Sequence, residues 1–286
     1  MNNQKYFRKI DVIYSGKIRA GAYPKITTRS YKVIKCRKSG LVKLNKFPKL
    51  SYESKQYRNL YNNGLKVKTF KKFSNVDQNP RFFGLKRSLF RGKTVLDYGC
   101  GYGFFLDNIK NISKNTLAIE PQKDLQKYLE SKGHKNIFKK DFKNYEGKID
   151  IITSFGVIEH TKNPEKYLQL AYKLLKKGGT LYLCTDNLND ILMHLNLEEF
   201  KQFYFRTAHF WYFNKSNLES LLKNNGFNKV HLNFLHNHGY NNFIHWLENK
   251  KPLNDNKFNK TKLDIRWQKI LSKTGRSELL FATCKK

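Results

Sequence analysis

The chain has 286 residues and a net charge of +34, from 56 lysines and arginines against 22 aspartates and glutamates. That length accommodates one α/β domain with a full core and an additional segment, and no apolar run is long enough to span a membrane. The four cysteines (Cys36, Cys100, Cys184 and Cys284) form no C-x-x-C pair, which excludes a readable zinc or redox motif and points to a reducing, cytoplasmic setting.

Residues 1–72 carry a net +18 and begin MNNQKYFRKID, without the apolar run of a signal peptide. Charge of this density suits an anionic partner; it also follows from a composition rich in Lys, Asn, Ile, Tyr and Phe. The run VLDYGCGYGFFL, Val95 to Leu106, is an apolar strand that stops at Asp97, then Gly99, Gly101 and Gly103, then an apolar helix start. Such a loop brings backbone amides close to a ligand at a helix N-terminus. Phe104 stands where a dinucleotide loop would place its last glycine, which favours a nucleoside without a pyrophosphate.

The next strand, Thr116 to Ile119, ends at Glu120, placed to accept hydrogen bonds from both hydroxyls of a ribose. A third strand, Asn136 to Lys140, ends in Asp141-Phe142, a carboxylate and a ring suited to an adenine. A fourth strand runs from Ile149 to Gly156. The spacing then predicts a helix from Pro164 to Lys177, with Pro in its first turn and Gly178-Gly179 past its end. Strands follow at Leu181 to Thr185, Lys229 to Phe234 and Glu278 to Cys284. The segment between the last two, Leu235 to Ser277, contains His236 and His238, an H-x-H without a carboxylate at helical spacing, read as loop and not as a metal site. Residues 250–286 add a net +8. Alternating strands and helices imply right-handed crossovers and a parallel sheet.

In this order, D-Y-G-C-G-Y-G at 97–103, I-E-P at 119–121, D-F at 141–142, F-G-V-I-E-H at 155–160 and L-K-K-G-G-T-L at 175–181 resemble the class I S-adenosylmethionine-dependent methyltransferases. The similarity is to the small-molecule branch related to ubiquinone-biosynthesis methyltransferases, and it covers about Lys93 to Val230. It implies an α/β fold: a Rossmann-like seven-stranded sheet, its last strand antiparallel, with helices on both faces. The implied cofactor is S-adenosylmethionine. Asp97 and the amides around Gly99 and Gly101 would hold its methionine end, Glu120 its ribose, and Asp141 and Phe142 its adenine. Phe155 with Gly156 would line the pocket beside the sulfonium, and Tyr102 and Pro121 join the cofactor-binding set.

A second resemblance concerns YKVIKCRKSGLVKLNKFPKLSYESKQYRNLY, Tyr31 to Tyr61. It is similar to the second half of a zinc ribbon that precedes the methyltransferase domain in a family linked to deoxysugar and polysaccharide biosynthesis, where a Tyr-containing helix follows. Cys36 holds the first ligand position, but Ser39 replaces the second cysteine and no upstream pair exists. Tetrahedral zinc needs four ligands, so the expectation is a metal-free, β-rich module with a linking helix over 1–75. The methyltransferase domain then covers 76–286, with an insertion at about 235–277.

Two histidines are candidate catalytic bases, and the residues leave open which one acts. His160 follows strand four at the carboxyl edge of the sheet, where ligands bind in such folds. His209 opens H-F-W-Y-F; the deoxysugar C-methyltransferases have Tyr-x-Glu-His there, and here Arg206-Thr207-Ala208-His209 lacks that carboxylate. Loss of an orienting partner favours O- or N-methylation over C-methylation. His209 can equally be a packed interior residue, and the pair Glu159-His160 can be positional as readily as catalytic. Of Phe210, Trp211, Tyr212 and Phe213, at least two are expected in a core.

The expected function is methyl transfer from S-adenosylmethionine to a small polar acceptor, a sugar or nucleotide-sugar, with an anionic acceptor suiting the basic N-terminal module. One alternative is an RNA methyltransferase using the basic surface; against it, Ser154-Phe155-Gly156-Val157 stands where amino-group methylases of bases keep an Asn/Asp-Pro-Pro-aromatic motif. The other is a non-catalytic binding protein with the same fold, which retention of Asp97 and Glu120 opposes.

Overall fold

Short apolar runs between turn residues form strands buried on both faces when helices cover the sheet. The computed structural model describes residues 9–54, 56–61, 84–253 and 261–286; the expected domain boundary at 75/76 lies outside them. The strands are β1 (Ile10–Gly16), β2 (Tyr31–Cys36), β3 (Val42–Leu44), β4 (Thr94–Tyr98), β5 (Asn115–Ile119), β6 (Lys135–Asn136), β7 (Ile149–Phe155), β8 (Leu175–Asp186), β9 (Trp211–Tyr212), β10 (Asn228–Leu235) and β11 (Leu279–Lys285). Among the described residues they form a four-stranded sheet, β1-β2-β3-β9, and a seven-stranded sheet, β10-β11-β8-β7-β4-β5-β6.

The larger sheet has the Rossmann-like arrangement. β4 pairs in parallel with β5 and β7, β5 with β6, and β7 with β8. β11 runs the other way: Lys286 exchanges hydrogen bonds with Gly178 and Gly179 at one end of β8, while Asn187 N donates to Glu278 O at the other. Val95 and Leu96 on β4, Ile149 and Ile152 on β7 and Leu181 and Leu183 on β8 have no exposed surface, as continuous apolar strands require.

The chain divides into two compact units. The first takes described residues from Met1–Pro48, Thr185–Glu219 and Leu232–Phe281. Its core gathers Tyr14, Val33, Val42 and Leu44 from the N-terminal strands with Phe200, Phe205, Tyr212 and Trp246. The small sheet is antiparallel throughout, and its fourth strand, β9, comes from the H-F-W-Y-F segment. Phe210, Trp211, Tyr212 and Phe213 are all at most 3% exposed, and Tyr212 belongs to this core. Cys36 ends β2, with its Sγ accepting from Ser39 N at 3.4 Å. The 235–277 segment forms helices Tyr240–Asn249 and Lys262–Thr274. Its histidines are tied to Glu278: His238 Nε2 lies 3.4 Å from Oε2, and His236 Nδ1 accepts from the Glu278 backbone.

The second unit takes described residues from Lys49–Cys184, Ser220–His231 and Ala282–Lys286. Two boundaries there differ from expectation. The helix starts at Pro164, capped by Asn163 accepting from Lys166 N, but stops at Leu174 instead of Lys177. Leu175 is fully buried and pairs with Ile149, so pairing in the sheet overrides the helix preference of Lys176 and Lys177. The third strand is only Lys135–Asn136, and residues expected to continue it turn into a short 3-10 helix, Lys139–Asp141. The Asp141 carboxylate accepts from Phe138 N at 2.9 Å, an Asp-capped turn that competes with strand extension. Among the described residues, no helix is long and apolar enough to cross a membrane.

Candidate functional site

The loop from Gly99 to Gly103 leaves β4 and enters the helix Phe104–Ile109. Its three glycines have φ of +81°, +57° and +70°, a left-handed region that costs other residues about 1–2 kcal/mol each. At Gly99 the restriction is also spatial, since a Cβ would lie 2.5 Å from Val157 Cγ2. The loop is tied to the end of β5. Gly99 N donates to Ile119 O at 2.8 Å, and Glu120 Oε2 accepts from Gly101 N at 2.9 Å. The same carboxylate accepts from Gln122 N through Oε1, also at 2.9 Å. Glu120 is 8% exposed, so charge-assisted bonds to two amides offset much of its desolvation.

These residues line a cavity of about 550 Å³ within the second unit, inside the usual range for small-molecule sites. Of the residues the sequence selected, Gly99, Gly101, Tyr102, Glu120, Pro121, Phe155 and His160 line it. Asp97 sits beneath the loop, 3% exposed, accepting from Thr153 Oγ1 at 2.8 Å. Burial pushes its carboxyl up to about 7; the Thr153 bond opposes this, and the nearby Glu120 charge adds to it. Asp141 and Phe142 are not among the lining residues; Asp141 is half-buried and spends its carboxylate on the turn before it.

The cavity also has an aromatic wall. Tyr98 and Tyr167 lie 4.4 Å apart between ring centroids, and the Tyr167 hydroxyl donates to Ser154 Oγ, which in turn donates to Tyr98 O. Burial raises both phenols, that of Tyr98 to about 12, so both remain neutral donors. Tyr52 and Tyr57 complete the wall; Tyr57 comes from the helix Gln56–Tyr61. The Tyr52 hydroxyl is 3.2 Å from His160 Nδ1. Both tyrosine rings meet the imidazole edge-on, with centroids 5.4 and 5.6 Å away. The sequence resemblance implies a Tyr-containing helix here but assigns it to no site, because these tyrosines precede His160 by about 100 residues and carry no motif of their own.

His209 belongs to the first unit, where it is 4% exposed. Its Nδ1 lies 3.3 Å from Asp186 Oδ2, and Arg206 Nη2 lies 2.5 Å from the same oxygen. The carboxylate absent from the local motif is thus supplied from the end of β8. Burial works to raise the Asp186 carboxyl, but Arg206 and His209 prevail and hold it well below the usual carboxylate range.

Residues 71–232 match the family model described as a methyltransferase domain. The chain is similar to the mitochondrial ubiquinone biosynthesis O-methyltransferase of Rattus norvegicus, with 24% identity over 177 residues, covering 55% of this chain and 51% of the relative. It is also similar to the ubiquinone biosynthesis O-methyltransferase of Shewanella pealeana, with 27% identity over 107 residues, covering 34% and 45%. The chain thus spans about half the length of these curated relatives. A solved SAM-dependent methyltransferase from Archaeoglobus fulgidus has a TM-score of 0.48 and 20% identity, covering 72% of this chain and 97% of its own.

Proposed function

We propose, from the premise that the chain belongs to the methyltransferase-domain family and takes its methyl group from S-adenosylmethionine, that it methylates a hydroxyl of a small, ring-bearing acceptor. The observation that carries this reading is one cavity with two unlike walls: the glycine loop with Glu120, and Tyr52 and Tyr57 with His160. The first wall fits a nucleoside, having close-approach glycines and a buried carboxylate able to accept from ribose hydroxyls. Asp97 beneath it suits the cofactor's ammonium group. The second wall offers aromatic faces for a ring and an imidazole for a proton.

Bound S-adenosylmethionine supplies an electrophilic methyl on a sulfonium. The residues of the chain position the acceptor oxygen in line with that carbon. His160 would take the proton of the acceptor hydroxyl, while the bound group would supply the methyl and leave with the electron pair on its sulfur. His209, held by Asp186, is the second candidate for this proton. The names of the relatives support O-methyl transfer. A nucleotide-linked sugar, expected from the sequence, and a phenol both fall within the acceptor class, since either presents a hydroxylated ring to aromatic faces.

The test is titration calorimetry with S-adenosylmethionine and S-adenosylhomocysteine, followed by methyl transfer to a panel of phenols, sugars, nucleotide-sugars and RNA. Micromolar binding and transfer to a ring hydroxyl, lost in His160→Asn and retained in His209→Asn, supports the reading. Transfer only to RNA, with an affinity that falls steeply with salt, refutes it.

A further inference from the structure

The family match begins at residue 71, yet the contact with His160 inside the cavity comes from Tyr52, upstream of it. Tyr52 and His160 are both half-buried, and their side chains meet both edge-on and through the hydroxyl. A neutral imidazole carries one proton on either of two nitrogens, and the partner of one nitrogen decides which atom is basic. If Nδ1 accepted from Tyr52, the proton would sit on Nε2 and the ring could not take another there. If Nδ1–H donates to the Tyr52 oxygen, the lone pair is on Nε2 and the ring is competent as a base.

We propose that Tyr52 is a positioning residue for the methyl-transfer base: its phenol oxygen accepts from His160 Nδ1–H, fixing the tautomer in which Nε2 takes the acceptor's proton. This rests on the O-methyl-transfer reading above. The same bond serves the second half of the step. Once Nε2 is protonated both nitrogens are donors, and the Tyr52 oxygen is a ready acceptor for the Nδ1–H of the imidazolium. Tyr57, at 5.6 Å edge-on to the ring, packs beside Tyr52 with centroids 5.0 Å apart and limits rotation of both. Other titratable groups of this unit near the imidazole are Glu159, its 2% exposed neighbour in the turn Ile158–His160, and the phenols of Tyr98 and Tyr167, which line the same cavity. The Tyr52 hydroxyl is the group that meets Nδ1 directly, at 3.2 Å.

The deciding measurement needs no acceptor. Long-range ¹⁵N–¹H spectra of the full chain labelled in histidine, with His160 assigned through His160→Asn, report which nitrogen bears the proton. A proton on Nδ1 in the wild type, with loss of that preference in Tyr52→Phe and not in Tyr57→Phe, supports the proposal. A proton on Nε2 in the wild type overturns it whatever the protein methylates.

With an acceptor in hand, Tyr52→Phe keeps the ring contact and removes only the oxygen. The expected effect is a fall in kcat of about tenfold with unchanged S-adenosylmethionine affinity, and an acidic limb of the pH–rate profile moved to lower pH, because the imidazolium has lost an acceptor. A rise in KM alone makes Tyr52 a wall of the acceptor site and overturns the positioning role. A separate result, full activity in His160→Asn, removes the base itself and shows that the functional reading failed, independently of what the spectra say about Tyr52.

Discussion

Glu120→Gln is the sharpest probe of the cofactor wall. The carboxylate accepts from Gly101 N and Gln122 N, each at 2.9 Å and on different oxygens. A carboxylate has about four acceptor positions, so two amides and two ribose hydroxyls would fill its capacity. Glutamine has the same shape but only one acceptor oxygen, and its amide nitrogen would face a donor. One charge-assisted bond is therefore lost, one backbone N–H is left facing the side-chain NH2, and the ribose hydroxyls lose their charged acceptor. Bonds to charged groups contribute about 1.5–3 kcal/mol each, so S-adenosylhomocysteine should bind about 10- to 150-fold more weakly. Calorimetry with this ligand and with its 2′,3′-dideoxy analogue separates two roles of the side chain. If Glu120 holds the ribose, the wild type prefers the parent nucleoside and the variant loses that preference. An affinity within twofold of wild type refutes the cofactor role. Equal weakening of both ligands refutes ribose binding and leaves Glu120 as a brace for the loop.

Asp97, with its carboxyl raised to about 7 by burial, favours the protonated form in the folded protein. Its contribution to stability is greatest below the ordinary aspartate value of 3.8 and diminishes as pH rises to about 7. Binding of a cationic ammonium demands the ionised form, so calorimetric affinity for S-adenosylmethionine should rise about tenfold between pH 6 and 8, and Asp97→Asn should bind weakly with no such rise. Gly99→Ala places a Cβ 2.5 Å from Val157 at φ +81°, with an expected loss of about 2–5 kcal/mol from left-handed strain and overpacking. Urea unfolding should show Val157→Ala restoring only the overpacking part. Asp186→Asn leaves Arg206 and His209 facing a neutral amide; with the carboxylate 22% exposed, the loss should be about 1–3 kcal/mol, below that of a fully buried pair. Because the native carboxyl is held low, that advantage exists above the ordinary aspartate value and vanishes on acidification, so the two unfolding curves should converge in acid.

The parts of the fold that were legible in the sequence are those encoded over short distances. The glycine loop, Glu120 and most of the individual strands follow from local apolar runs, turn residues and an acidic strand end, each within a few residues of its structural role. Gly99, Gly101 and Glu120 accordingly meet in one cavity. Asp141 shows where local chemistry competes: the same carboxylate that suits an adenine also suits the turn at Phe138, and the turn takes it. The long-range partners were not legible. Nothing near His209 signals Asp186, and nothing in YESKQY announces that Tyr52 meets an imidazole 108 residues later. Trp211-Tyr212 likewise reads as buried, but a two-residue strand has no periodicity by which its partner could be chosen.

That two-residue strand has a consequence for how the protein is made. β3 acquires its second neighbour only through Val42↔Tyr212 and Lys43↔Trp211, about 170 residues further along the chain. At about 5–20 residues per second, a ribosome needs roughly 10–30 s to cover that distance. Through that interval β3 presents an open backbone edge, beside apolar residues such as Val42 and Leu44 that lack the aromatic half of their core. Nascent chains arrested before Trp211 should therefore recruit holding chaperones and aggregate when released, whereas chains arrested beyond Phe213, with the residues clear of the exit tunnel, should resist both.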